Sequence, residues 1–136
     1  MSPSVYPEAA NAVVLCIDHK QEMLDCERAF LESFGYTVLT APSGGRGLEL
    51  ASLYSVDVVV LDYFMPAMNG EEVAVELRRL RPEAPIILVT EGVGVSDQTL
   101  SVVDALVAKD SLASQLLPAI AHLHRCGQIS PAAYDA

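Results

Sequence analysis

One stretch constrains this chain more than any other: residues 56–70, Val-Asp-Val-Val-Val-Leu-Asp-Tyr-Phe-Met-Pro-Ala-Met-Asn-Gly. Residues 58–61 are consecutive, apolar and mostly β-branched, the pattern of a strand covered on both faces, as in a parallel sheet. Asp62 follows at once, so a carboxylate stands at the carboxyl end of that strand. Open α/β sheets place their ligand crevice there. Pro66 and Gly70 end the strand and turn the chain. Glu71, Glu72, Val73 and Leu77 then open a helix with acids in its first turn. An Asp so placed serves as nucleophile or metal ligand, or as a plain turn residue or N-cap, and this stretch alone does not choose between them.

The rest of the chain repeats the pattern. Residues 12–17 form a second buried-strand run, ended by Asp18 and followed by His19 and Lys20. Met23, Cys26, Phe30 and Phe34 recur at helical spacing and predict an amphipathic helix over 21–34, with Gly35 as its C-terminal cap. A short strand is expected over 36–40, a turn at Pro42 and Ser43, and a helix over 44–53. The Gly44-Gly45-Arg46-Gly47 cluster lacks the Gly-Lys-Ser/Thr ending of a phosphate loop and reads as a turn and helix start. Pro82 and Pro85 bracket a loop before a fourth strand, 86–89, which ends in Thr90. A glycine-containing loop over 91–95 and a short helix over 96–103 lead to a fifth strand, 105–108, which ends in Lys109. Ser111 is placed to cap a last helix with Leu112, Leu116, Ile120 and Leu123 on one face. Pro118 inside it is expected to kink it or delay its start. Residues 1–11 and 127–136 read as tails around one domain, 12–126. Five strands alternating with five helices require right-handed crossovers, hence a doubly wound parallel α/β sheet with helices on both faces.

Composition narrows the class. A chain of 136 residues with 51% hydrophobic residues suits one globular domain and excludes disorder. No apolar run approaches the ~20 residues of a membrane span, and residues 1–11 show no signal peptide. The net charge of −10 argues against nucleic acid as a partner. Arg78, Arg79 and Arg81 are the only basic cluster and read as a solvated helix end. The three cysteines, Cys16, Cys26 and Cys126, have neither disulfide nor zinc spacing, and Cys16 is expected in the core. A soluble, cytoplasmic protein is the expectation.

Four of the five strands end in a polar residue of specific type: Asp18, Asp62, Thr90 and Lys109. A parallel sheet brings those ends to one edge. Two carboxylates, a hydroxyl and an ammonium there suit a divalent cation and a phosphoryl group. Carboxylates are hard ligands for Mg²⁺, an Asp carboxylate can attack phosphorus, and metal and lysine neutralise the transferring charge.

On these residues the chain resembles a response-regulator receiver domain of two-component signalling, over about residues 12–125. The resemblance rests on Asp18, on Asp62-x-x-Met65-Pro66-x-Met68-x-Gly70, on Ala41-x-x-Gly44, on Thr90 and on Lys109. It implies a flavodoxin-like sheet of order 2-1-3-4-5. It implies Asp62 as phosphoacceptor, Thr90 as switch hydroxyl, Lys109 as phosphate contact, and Asp18, Asp62 and the Phe64 backbone carbonyl as Mg²⁺ ligands. The implied phosphodonor is a histidine kinase or histidine phosphotransfer protein. The implied output is contact with a downstream protein, or a homodimer, through the face made by the fourth helix, fifth strand and fifth helix, since this chain carries no output domain.

Four positions depart from the family pattern. His19 stands where a second metal-binding acid is usual, Glu91 where a small residue follows the switch hydroxyl, Leu106 where an aromatic is usual, and Asp110 where a proline follows the lysine. The interval from Thr90 to Lys109 is about one helical turn short. Weak Mg²⁺ binding is expected, because a nitrogen is a poor ligand for that ion. As a lone histidine, His19 otherwise reads as a solvated loop residue, or as a ligand for a softer metal. The alternative to a phosphoacceptor is a degenerate receiver acting as a phosphorylation-independent interaction module. An Asp-nucleophile phosphatase is disfavoured, because Phe64 occupies the place of its general acid.

Overall fold

The computed structural model describes residues 12–91 and 94–128. Its elements are β1 (Val13–Ile17), α1 (Gln21–Glu32), β2 (Thr37–Ala41), α2 (Gly44–Leu53), β3 (Val58–Asp62), α3 (Gly70–Leu80), β4 (Ile86–Thr90), α4 (Asp97–Val102), β5 (Ala105–Ala108), a 3₁₀ turn (Lys109–Ser111) and α5 (Leu112–Gln128). The predicted tail 1–11, residues 92–93 and residues 129–136 lie outside the described residues. The five strands form one parallel sheet of order β2-β1-β3-β4-β5, as expected.

Each strand face feeds one core. Val14, Cys16, Val58, Val60, Ile87, Val89 and Val107 pack under α1 and α5. Leu15, Ile17, Val59, Leu61, Ile86 and Leu88 pack under α2 and α3. Period-two alternation sends successive side chains to opposite faces, and both faces are covered, so the strands read as unbroken apolar runs. Each such side chain contributes roughly 1.5–3 kcal/mol by leaving water. Cys16 is fully buried, as expected of a core cysteine.

The caps follow the sequence signals. Gly35 has φ of 98° and closes α1, with the Tyr36 N–H donating to the Leu31 carbonyl. Ser43 caps α2 by accepting from the Arg46 N–H. Asn69 caps α3 by accepting from the Glu72 N–H at 2.9 Å, while the Glu72 carboxylate accepts from the Asn69 N–H at 3.2 Å.

Three expectations need correction. The inward face of α1 is Leu24, Glu27 and Leu31, and Cys26 is exposed. The helical period holds, but the helix is turned by one residue, because Leu24 and Leu31 fill the core better than the aromatics, which pack at its margin. The arginines are not simply solvated. Arg78 donates to the Val102, Pro82 and Ala84 carbonyls and pairs with Asp104. Arg81 donates to the Ala51 and Tyr54 carbonyls. These groups satisfy carbonyls at the loop ends that no ladder reaches. Of the two effects expected of Pro118, the delayed start does not occur: α5 starts at Leu112 and runs to Gln128, past the predicted domain end at residue 126. No helix among the described residues is long and apolar enough to cross a membrane.

Candidate functional site

Strand register assembles the site. Ile17 pairs with Leu61, so the residues that follow, Asp18 and Asp62, stand side by side. Asp62 pairs with Val89, one residue before Thr90, and Thr90 pairs with Ala108, one residue before Lys109. All four predicted residues therefore meet at the carboxyl edge of the sheet. Asp18, Asp62 and Thr90 are buried, at 2%, 2% and 3% exposure.

The two oxygens of Asp62 face different neighbours. Oδ1 lies 3.7 Å from the Lys109 Nζ. Oδ2 lies 3.3 Å from the His19 Nδ1, yet it is buried and accepts no hydrogen bond. The Phe64 backbone N–H donates to the carboxylate. Burial, and then the neighbouring Asp18, push the Asp62 carboxyl above the usual Asp range, while Lys109, the Phe64 N–H and His19 oppose that shift. Asp18 Oδ1 accepts from the Lys20 N–H at 2.8 Å and stands 3.8 Å from the His19 Nδ1. Asp18, His19 and Asp62 each present a ligand atom within 4.8 Å of the others.

His19 is thus more than a solvated loop residue. Its side chain is 32% exposed, and Nδ1 points to both carboxylates. Glu91 is exposed and borders a cleft with Lys109 and Asp110. Leu106 is 46% exposed on β5. The Phe64 ring, 47% exposed, packs edge-on against Tyr63. The Tyr63 hydroxyl donates to the Gly94 carbonyl at 3.1 Å, tying the loop after β3 to the loop after β4.

Gly70 closes the motif for a steric reason. Its N–H donates to the Tyr63 carbonyl at 2.9 Å, and a Cβ at this position would come within 2.7 Å of the Tyr63 Cα. Only glycine lets α3 start so close to the segment that carries Asp62.

One residue escaped the sequence reading. Glu27 is 4% exposed on the inner face of α1, and burial, followed by the charge of Asp18, raises its carboxyl to about 7. It hydrogen-bonds the Cys16 side chain, whose thiol is itself pushed well up by burial. The signal is present in the chain: Leu24, Glu27 and Leu31 follow i, i+3, i+7 spacing, with the acid on the apolar period.

The response regulator receiver domain profile matches residues 14–119 of this chain. The response regulator SaeR of Staphylococcus aureus is 34% identical over 77 residues, covering 57% of this chain and 33% of SaeR. The chain thus spans about one third of the length of the curated relatives it matches. Among solved structures, a CheY-like receiver domain protein from Methanospirillum hungatei JF-1 is similar with TM-score 0.81 and 25% identity, covering 88% of this chain and 98% of the other. The response regulator TrrA of Thermotoga maritima, in complex with Mg²⁺-BeF, has TM-score 0.77 and 29% identity, covering 82% and 98%.

Proposed function

This chain belongs to the response regulator receiver domain family, and on that premise we propose that Asp62 is its phosphoacceptor, taking a phosphoryl group in the cytoplasm from a histidine kinase or histidine phosphotransfer protein. The observation that carries this reading is the pairing of Asp62 Oδ1 with Lys109 Nζ at 3.7 Å, beside a second buried carboxylate, Asp18. An Asp62 oxygen attacks the phosphorus of the donor phosphohistidine, the P–N bond breaks, and the imidazole leaves with that electron pair. Lys109 neutralises charge on the phosphoryl oxygens. The Thr90 hydroxyl, at the end of the adjacent strand, is the group to hydrogen-bond one of them.

Receiver domains bind Mg²⁺ in an acidic pocket, where the ion offsets charge on the phosphoryl group. Asp18, Asp62 and the Phe64 carbonyl are the oxygens this chain offers, and the unpartnered Asp62 Oδ2 fits a cation. His19 in place of a third acid fits Mg²⁺ poorly. Exposed Leu100 and Leu106 support the α4-β5-α5 face as the surface for a downstream partner or a second copy. An apolar groove between α1 and α5, lined by Met23, Phe30, Leu112 and Leu116, opens beside Lys109 and is a surface for the phosphodonor protein. The phosphorylation-independent alternative is not favoured, because acceptor, lysine and second acid share one pocket.

The test is intact-mass measurement after incubation with a small phosphodonor and a divalent cation. One added phosphoryl group is expected, absent in Asp62→Asn. No gain with any metal, or equal gain in Asp62→Asn, would overturn the assignment.

A further inference from the structure

We propose that Asp18, His19 and Asp62 bind a borderline first-row dication of the Zn²⁺ or Co²⁺ kind, through two carboxylates and the His19 imidazole, in preference to Mg²⁺. This rests on the phosphoacceptor reading of the same pocket and names the metal it takes.

Geometry comes first. Three ligand atoms, one from each residue, lie within 4.8 Å of one another. The His19 Nδ1 and Asp62 Oδ2 are 3.3 Å apart. Two ligands at about 2.0–2.1 Å from a shared tetrahedral ion stand roughly 3.3 Å from each other, so this separation is already that of co-ligands.

The second observation is independent of the cluster. Asp62 Oδ2 is buried and accepts no hydrogen bond, although a ring nitrogen stands next to it. A buried carboxylate oxygen without a donor is costly, and an ion between Oδ2 and Nδ1 satisfies both atoms. Lys109 faces the other oxygen, Oδ1, and does not compete for that position.

Donor chemistry then selects the ion. Mg²⁺ prefers oxygen and demands near-octahedral geometry. Imidazole suits Zn²⁺, Co²⁺ and their neighbours, whose affinity for mixed nitrogen and oxygen sites rises along the first row. The ring is 32% exposed, so the cluster is open to solvent on one side and leaves positions for water or a phosphoryl oxygen. Cys16, buried in the core beneath, adds no thiolate to the set.

The full chain is titrated with Co²⁺ and, separately, with Mg²⁺, by calorimetry and by NMR of the His19 ring. The expected result is paramagnetic shifting of the His19 ring signals on Co²⁺ addition. Co²⁺ should also bind at least about tenfold more tightly than Mg²⁺. His19→Asp should reduce the Co²⁺-to-Mg²⁺ affinity ratio by at least about tenfold, with Mg²⁺ itself bound several-fold more tightly. His19→Asn, which removes the imidazole without adding charge, should lose Co²⁺ affinity with no gain for Mg²⁺. Unshifted ring signals, or the same affinity ratio in all three proteins, would overturn the proposal and leave His19 as a polar neighbour of the two carboxylates. Asp62→Asn separates the two readings. If it abolishes cation binding and phosphorylation while the ratio test fails, the phosphoacceptor pocket stands and only the metal choice falls. If it leaves both unchanged, both readings fall.

Discussion

A single carboxyl on α1 carries a measurable pH signature. Glu27 is buried, and its folded-state carboxyl titrates at about 7 against an ordinary value of 4.5. A raised folded value means that the ionised form is disfavoured in the fold. Below the unfolded value both states are protonated and nothing is lost. As pH rises from about 4.5 through 7, the unfolded chain releases its proton first and stability falls. The full loss is of order 3 kcal/mol, because each tenfold change in proton affinity is worth about 1.4 kcal/mol. Glu27→Gln cannot ionise, so it should gain stability relative to wild type between pH 5 and pH 8 by roughly 2–3 kcal/mol. Urea unfolding at a series of pH values checks this, and parallel wild-type and variant profiles would count against it. Glu71 behaves oppositely. Hydrogen bonds from Ser96, then Thr99, lower its carboxyl, so the tie it makes between α3 and α4 weakens as pH falls through its folded value.

At the scale of elements, the segment from β3 to α3 is set by contact rather than by propensity. The Gly70 N–H donates to the Tyr63 carbonyl, and an added methyl would strike the Tyr63 backbone, which cannot turn away as a side chain can. Gly70→Ala should cost about 1–3 kcal/mol and displace the Tyr63-Phe64 segment next to Asp62. The checks are a lower denaturation midpoint and slower phosphorylation, and an unchanged midpoint would refute the steric account. At the other side of the site, Leu106 lies on β5 opposite Leu88, half exposed and without a ring. Leucine cannot reproduce an aromatic ring that swings to follow a hydroxyl. Binding of a phosphoryl mimic should therefore shift NMR signals strongly at Thr90 and weakly at Leu106. Shifts of equal size at both residues would contradict this. The adjoining α4 has only six residues. It is held less by length than by its Ser96 cap and by Arg78, which donates to its last carbonyl, Val102.

For the molecule as a whole, the two neighbouring buried carboxylates at the sheet edge are a cost to the cation-free fold. Asp18 and Asp62 are both buried and adjacent, and Asp18 is, after burial, the larger cause of the raised Asp62 carboxyl. Asp18→Asn removes that repulsion and leaves the shape unchanged. It should raise cation-free stability by about 1 kcal/mol. Added dication should raise the melting temperature of the wild type by linkage, and the same variant should lose that rise. Melting curves with and without added dication test both halves. A less stable Asp18→Asn, or one whose melting temperature still rises with the cation, would show that the charge pair is not the stored cost.

Much of this protein is legible in one dimension. Unbroken β-branched runs, glycine and proline punctuation and helical periodicity specify five parallel strands with covered faces, because burial on both faces leaves no other pattern. The polar residue that ends each of four strands places Asp18, Asp62, Thr90 and Lys109 at one edge, because parallel strands share a direction. Three things depended on the tertiary structure. The inward face of α1 is chosen by side-chain volume against the sheet, so Glu27 came in where Cys26 was expected. Arg78 and Arg81 found carbonyls on segments distant in the chain. The direction of the His19 ring depends on Asp62, 43 residues away in the sequence. Spacing along a chain fixes which side chains share a face, but only the packed register decides which atoms face one another across 3.3 Å.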